Sequence, residues 1–382
     1  MNPTRAEIDF KKLENNFYKI KSFVNRTKPK NRVKICAVIK ANAYGHGIQE
    51  MSKKFIQLGA DYLGVANYDE AIKLRSVVPD VSILVFGTLI HSRFKPETYV
   101  SKLIKYDLIA TVASLETARF LDYYSGILRK KFKVHIKVDT GMRRIGFDVK
   151  RALKNISQVF KYKNLEIEGI YTHFATAESP DKSFLKMQVS KFLELIYCLK
   201  KAGMEFPIVH SANSGAVLNF PESYFDMVRP GLILYGYYPS HDMKKVVDVK
   251  PVMNLKSKVT YIKRVDSNIS ISYGRTFYTK KRTFIGSIPV GYGDGYWRIL
   301  SNKGKVLIKG NYYPVVGIIT MDWLMVDLGV GSNVRVGDDV LLFGDENKAL
   351  LGADKIAAMT KSIPYEIISS VADRVQRIYL HK

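Results

Sequence analysis

Between residues 33 and about 236 the chain alternates short, nearly unbroken apolar runs with longer segments of helical periodicity, and this alternation is the strongest constraint on its fold. The runs are Val33–Ile39, Tyr62–Val65, Val81–Phe86, Leu108–Val112, Val134–Val138, Ile167–Tyr171 and Phe225–Val228. A strand with one wet face alternates polar and apolar residues, so runs without that alternation suit strands covered on both faces of a parallel sheet. The clearest helix between them is predicted over 183–202. Ser183 is placed to cap its start, Leu185, Val189, Phe192, Ile196 and Leu199 form its apolar stripe, and Lys200, Lys201 and Gly203 form a stop signal. Such repeated βα units predict either a doubly wound sheet or a (β/α)8 barrel, and periodicity alone does not separate the two.

After Tyr235-Gly236 the texture changes. Val259–Ile262, Phe284–Val290, Lys305–Ile308, Pro314–Ile319, Trp323–Leu328 and Val340–Phe343 read as short strands punctuated by glycines, so residues 250–345 are expected to be all-β. The polar stretch Tyr237-Tyr238-Pro239-Ser240-His241-Asp242 marks the junction. The expected domains are therefore 1–240 and 241–382, with residues up to about 9 packing with the second; a length of 382 residues suits this division.

Two cysteines, Cys36 and Cys198, cannot make a disulfide framework or a cysteine-based zinc site, and they suit a reducing compartment. His46, His91, His135 and His241 have no metal-ligand spacing, and no metal is expected. The N-terminal residues lack the apolar core of a signal peptide, and the longest apolar stretch, Val81–Ile90, is too short to span a membrane. The expected location is cytoplasmic.

Sixty Lys and Arg against 35 Asp and Glu leave a net charge of +25, which raises nucleic acid or an anionic membrane as a partner. Residues 11–34 hold nine of these cations, yet Leu13, Phe17, Ile20 and Val24 recur there at helical spacing. That is the buried stripe of an amphipathic helix with a solvated basic back. The remaining basic residues are spread along the chain without an RNA-binding, zinc-finger or arginine-rich pattern. Neither a specific nucleic-acid partner nor a membrane is expected.

Lys40 ends an apolar strand and is followed by Ala41-Asn42-Ala43-Tyr44-Gly45-His46-Gly47. A lysine at the carboxyl end of a buried strand lies where α/β folds place chemistry, and partial desolvation there lowers its pKa toward a nucleophilic amine. Taken alone, Lys40 reads equally well as an edge lysine reaching out to solvent.

The segment from Ala37 to Gly47 resembles the pyridoxal phosphate attachment motif of alanine racemases. Further segments resemble the same family, in order, through the rest of the chain: Lys137–Gly146, Tyr171–Ala175, His210–Ser214, Val228–Gly231, Ser272–Thr276, Gly291–Gly295, Met321-Asp322 and Pro364–Glu366. The resemblance implies an N-terminal (β/α)8 TIM-type barrel with pyridoxal 5'-phosphate at its C-terminal mouth. It also implies a strand-rich C-terminal domain that completes the partner's site in a head-to-tail homodimer.

By the same resemblance Lys40 would hold the cofactor as a Schiff base and act as base on one face of the substrate, with Tyr273 of the partner on the other. His173 would be the tyrosine's neighbour, and Arg229 would face the pyridine nitrogen in place of the more usual carboxylate. Tyr44, Asn213, Ser214, Gly231, Leu232 and Tyr365 would bind the cofactor, mostly at its phosphate. Arg144 and the backbone of the partner's Met321 would take the substrate carboxylate. Lys137 matches a lysine carried by many members as a carbamate, and Tyr292, Asp322, Glu178 and Arg298 match supporting residues at the entrance. Many members have an arginine after the glycine preceding the Met-Asp pair; here Gly317 is followed by Ile318.

The activity implied is interconversion of L- and D-alanine, supplying D-alanine for peptidoglycan. The same motifs leave open a racemase of this fold for serine or a basic amino acid, favoured only by Ile318. A non-catalytic pyridoxal phosphate-binding protein of the barrel alone is disfavoured by residues 245–382 and by Tyr273.

Overall fold

The computed structural model describes residues 3–28, 32–89, 96–346 and 349–381. Ile90 and His91 lie outside the described residues. Strands Lys34–Val38, Tyr62–Val65, Ser82–Val85, Leu108–Val112, Phe132–Asp139, Leu165–Tyr171, Ile208–Asn213 and Met227–Arg229 each pair in parallel with the next. The last pairs with the first, Met227 opposite Lys34. That closing pair excludes the doubly wound sheet and makes the N-terminal domain a parallel barrel wrapped by helices.

Ile208–Asn213 carries no unbroken apolar run and was not expected as a strand. His210, Ser211 and Ala212 are all buried in it, and polar side chains are tolerated because they find partners inside the barrel.

Helix Phe10–Thr27 buries Leu13, Phe17, Ile20 and Val24 completely. Each such side chain contributes roughly 1.5–3 kcal/mol relative to exposure. Asp9 caps this helix by accepting the Lys11 and Lys12 N–H groups at 3.0 and 3.1 Å. The helix predicted over 183–202 spans Ser183–Lys201 and buries Leu185, Val189, Phe192 and Leu199, with Ile196 half-buried. Ser183 is not its cap. It is the first helical residue, and Asp181 accepts both its N–H and its hydroxyl. Gly203, at φ +75, ends the segment in the left-handed conformation that glycine adopts freely.

The second domain is built on an antiparallel sheet of Met253–Lys258, Tyr261–Val265, Thr283–Ile288, Lys305–Ile308, Asn311–Val316, Leu324–Asp327 and Asp339–Glu346. The run Val259–Ile262 is therefore broken rather than continuous. Met253–Lys258 pairs with Asp339–Glu346, whereas Tyr261–Val265 pairs with Thr283–Ile288, and the chain changes partners at Val259-Thr260. Strand Arg5–Asp9 joins this same sheet, antiparallel to Met253–Lys258 and parallel to Gln376–Leu380. The chain thus begins in the second domain's sheet before entering the barrel.

The junction keeps exposed polar residues, His241 and Asp242, beside buried anchors. Tyr237, Met243 and Val247 are buried along it, and Asn16 of the first helix bonds the carbonyls of Leu234 and Lys250 and the N–H of Lys250.

Candidate active site

Strand Lys34–Val38 delivers Lys40 into a turn that L-residues adopt with difficulty. Ala41, Asn42, Ala43 and Tyr44 have φ of +53, +53, +53 and +51. Left-handed helical backbone costs L-residues roughly 1–2 kcal/mol each, so the turn persists only because its surroundings over-determine it. Glu70 accepts the N–H groups of Ala41 and Ala66 at 2.8 and 2.9 Å, pinning the turn to the end of the next strand. Asn42 accepts from the Ile48 N–H at 2.8 Å, and the His46 ring Nδ1 donates to the carbonyls of Ala43 and Tyr44. Tyr44 is thereby turned back beside Lys40 to line the same cavity.

That cavity opens at the C-terminal mouth of the barrel. Lys40, Tyr44, Lys137, Arg144, His173, Asn213, Ser214, Arg229, Gly231 and Tyr365 line it together, joined by Val38, Phe86 and Tyr171. Ten positions spread from 40 to 365 converge because the carboxyl ends of the barrel strands meet there, and Tyr365 reaches in from helix Pro364–Ser369. Leu232 lies one residue further along, fully buried at the start of the turn Leu232–Tyr235.

Among the described residues the lining holds four basic side chains and no acidic one. The consequences appear in the proton affinities. Burial, reinforced by Arg144 and Arg229, pulls Lys137 down to about 7. Burial and then the charge of Arg144 lower Lys40, with Glu70 acting in the opposite sense. His173 is held well below its ordinary value by burial and by Arg229, so its imidazole is neutral near pH 7. Burial lowers even Arg229, to about 10, which leaves it charged at neutral pH.

Arg229 is anchored on several sides. It donates to His210 Nδ1 at 2.7 Å and to the carbonyls of Thr172 and Ser211 at 3.0 and 2.9 Å, and it lies 3.4 Å from His173 Nδ1. Its guanidinium carbon is 5.2 Å from the ring centre of Tyr171, with Lys137 Nζ 5.5 Å from the same ring. Tyr171 stacks on His210 at 4.7 Å and shares a hydrogen bond with Thr111. Tyr171, His210, His135 and Glu70 were given no individual role from the sequence. The available signal was strand alternation, since His135 and Lys137 are two apart and share a face.

The model of the alanine racemase N-terminal domain matches residues 8–239, and that of the alanine racemase C-terminal domain matches residues 252–379. The chain belongs to the alanine racemase family.

Relatives within the family align over the whole chain. The alanine racemase of Methanococcus maripaludis is 44% identical over 100% of this chain and 99% of its own. Alanine racemase 2 of Caldanaerobacter subterraneus is 40% identical over 100% of this chain and 96% of its own. Among solved structures, the alanine racemase of Clostridium difficile superimposes with a TM-score of 0.91 at 38% identity, covering 99% of this chain and 96% of that one. The Bacillus anthracis alanine racemase with bound L-Ala-P superimposes with a TM-score of 0.91 at 33% identity, covering 100% and 96%.

The remaining expected site residues of this family member lie outside the cavity lining, all but Glu178 on the second domain. Tyr273 is 74% exposed and Met321 52% exposed. Tyr273 occupies a short turn, and the hydroxyl of its neighbour Ser272 donates to the Ile318 carbonyl at 2.6 Å. Arg374 donates to Asp294 and to Asp322, both at 2.8 Å, bracing the Met321-Asp322 corner. Tyr292 and Arg298 are exposed in nearby turns. Glu178, half-buried after the strand Leu165–Tyr171, is close enough to Tyr365 for its charge to add to the burial that raises that phenol.

Cys36 and Cys198 are unpaired thiols, and burial pushes Cys36 up to about 12. Among the described residues no helix is long and apolar enough to cross a membrane, and no group of three or more His, Cys, Asp or Glu side chains gathers to hold a metal.

Proposed function

We propose that the chain interconverts L- and D-alanine with pyridoxal 5'-phosphate bound at the barrel mouth. The observation that carries this reading is the lining of four basic and no acidic side chains around Lys40. Such a site calls for an anion with more than one negative group, and a phosphorylated cofactor plus a carboxylate substrate supplies both. The donor set fits the phosphate: hydroxyls of Tyr44, Ser214 and Tyr365 share the wall with Gly231, where a Cβ would lie 2.6 Å from the Tyr44 oxygen. Asn213 and Leu232 flank that cradle.

When bound, the cofactor supplies an electron sink that makes the substrate's α-proton removable. The chain's residues do the rest. Lys40, its amine made more available by burial and Arg144, would hold the group through Nζ and, once the substrate's amine has displaced it, would be free to move a proton on one face. The Tyr273 hydroxyl of a second copy moves a proton on the other face. The 74% exposure of Tyr273 is consistent with such a role in a head-to-tail homodimer. A neutral His173 beside that phenol would act by hydrogen bonding rather than by charge.

Arg229, a cation at neutral pH, would face the cofactor's ring nitrogen and disfavour a proton there. Arg144 binds the substrate carboxylate with the backbone of Met321 from the second copy. Lys137, with its depressed pKa, is suited to carry a carbamate that orients Arg144. Tyr292, Asp322, Glu178 and Arg298 flank the approach. In a cytoplasmic setting the product D-alanine would serve peptidoglycan synthesis.

Incubation of the purified protein with the cofactor and L-alanine, L-serine or L-lysine in turn tests this, together with borohydride reduction and mapping of the adduct. The expected result is D-alanine formation and an adduct on Lys40. An adduct elsewhere overturns the cofactor assignment, and a faster reaction with serine or lysine reassigns the substrate.

A further inference from the structure

Arg229 is a buried cation whose hydrogen-bond partners among the described residues are two carbonyls and two imidazoles, with no anion among them. A buried charge without an opposing one is costly. The opposing charge is reached through a chain of three bonds. Arg229 Nη1 meets His210 Nδ1 at 2.7 Å, His210 Nε2 meets His135 Nδ1 at 2.8 Å, and His135 Nε2 meets Glu168 Oε2 at 3.0 Å. The guanidinium can only donate, so His210 Nδ1 must be bare and its Nε2 must hold the proton. That proton is donated to His135 Nδ1, which forces the second proton onto His135 Nε2, facing an oxygen that accepts it. The direction of every bond is thereby determined, from Arg229 toward Glu168.

We propose that Glu168 is a positioning residue for Arg229, acting through His135 and His210 by holding both imidazoles in the Nε2-protonated form. Three features of the surroundings agree with this. Burial and Arg229 keep His210 neutral, and burial lowers His135 as well. Glu168 is held below the ordinary carboxylate range despite its burial, because His135 and Tyr62 bond to it. Tyr171, stacked on His210, prevents that ring from turning aside. If the carboxylate were lost, His135 would have no acceptor at Nε2 and would favour a proton on Nδ1. His210 would then lose its acceptor at Nε2, and a proton on its Nδ1 would face the Arg229 donor at 2.7 Å. The relay's geometry is independent of the proposed activity; its catalytic effect rests on Arg229 facing the cofactor.

The test is side-chain 15N–1H correlation spectroscopy of the histidines in the holoenzyme, for wild type, Glu168→Gln and Glu168→Leu, with alanine kinetics alongside. Expected are a bare Nδ1 and a protonated Nε2 on His135 and His210 in the wild type and in Glu168→Gln, whose amide oxygen can still accept. In Glu168→Leu at least His135 should change tautomer, with kcat/KM about tenfold or more below wild type, the range expected for losing a charge-assisted bond. A wild-type His210 protonated on Nδ1 overturns the proposal without any variant, as does an unchanged tautomer pattern in Glu168→Leu. Absence of alanine racemisation with the expected tautomers would count against the activity and leave the relay standing.

Discussion

The backbone N–H of Gly231 donates to the Ser214 hydroxyl at 2.8 Å, which joins the ends of two neighbouring barrel strands beside Lys40. The bond brings a hydroxyl, a backbone donor and the Tyr44 phenol to one corner, and a methyl at Gly231 would lie 2.6 Å from that phenol. Gly231→Ala is expected to weaken cofactor affinity about tenfold or more, the scale of an overpacked contact of 1–3 kcal/mol. Cofactor titration followed by absorbance measures it, with thermal unfolding as the control for folding. Unchanged affinity would remove Gly231 from the phosphate corner.

Tyr273 and Lys40 belong to different domains, and Tyr273 does not line this chain's own cavity. If one protomer's tyrosine serves its partner, Lys40→Ala and Tyr273→Phe protomers, each inactive alone, should complement when refolded together. A random mixture would hold one intact site in each mixed dimer and recover about a quarter of wild-type activity. No recovery despite hybrid formation on native gels would place both residues in a single protomer's site.

Lys137 binds its proton less tightly in the folded chain, at about 7, than the ordinary lysine value of 10.5. Between these values the unfolded chain holds the extra proton, so the contribution to stability rises with pH through this window and is lowest below about 7. Lys137→Met should flatten that rise, which is at most about 1.4 kcal/mol per pH unit for one proton. Urea unfolding at pH 7 and pH 9 in bicarbonate-free buffer makes the comparison. Parallel curves for the two proteins would contradict it.

Arg374 braces the corner that carries Met321, through Asp322 and the buried Asp294. Arg374→Ala is expected to raise KM for alanine several-fold while kcat changes less, because the corner's proposed role is to bind carboxylate rather than to move a proton. Arg374→Lys should recover part of the loss. A fall in kcat at constant KM would assign Arg374 a different role.

Helix Phe10–Thr27 was legible because apolar spacing alone determines its buried face. Strand Met253–Lys258 was not. Its Lys256 is buried only because Glu7 and Glu346, from strands far away in sequence, pair with it at 3.0 and 2.8 Å. Lys40, Tyr44, Arg144 and Arg229 could be named from their motifs, whereas His135 has no metal-ligand spacing and gains meaning only between His210 and Glu168.

Local periodicity and motif therefore determined seven of the eight barrel strands, the helices Phe10–Thr27 and Ser183–Lys201 and the cationic donors, because adjacent residues alone set backbone preference and amphipathic face. The tertiary structure decided the closure of the barrel, through Met227 pairing with Lys34, and the convergence of ten distant positions on one cavity. It also decided the lowered proton affinities of Lys137 and His173 and the contacts that link Arg229 to Glu168. Those properties depend on which distant groups exclude water and face one another, and that is settled only when strands far apart in the chain pair.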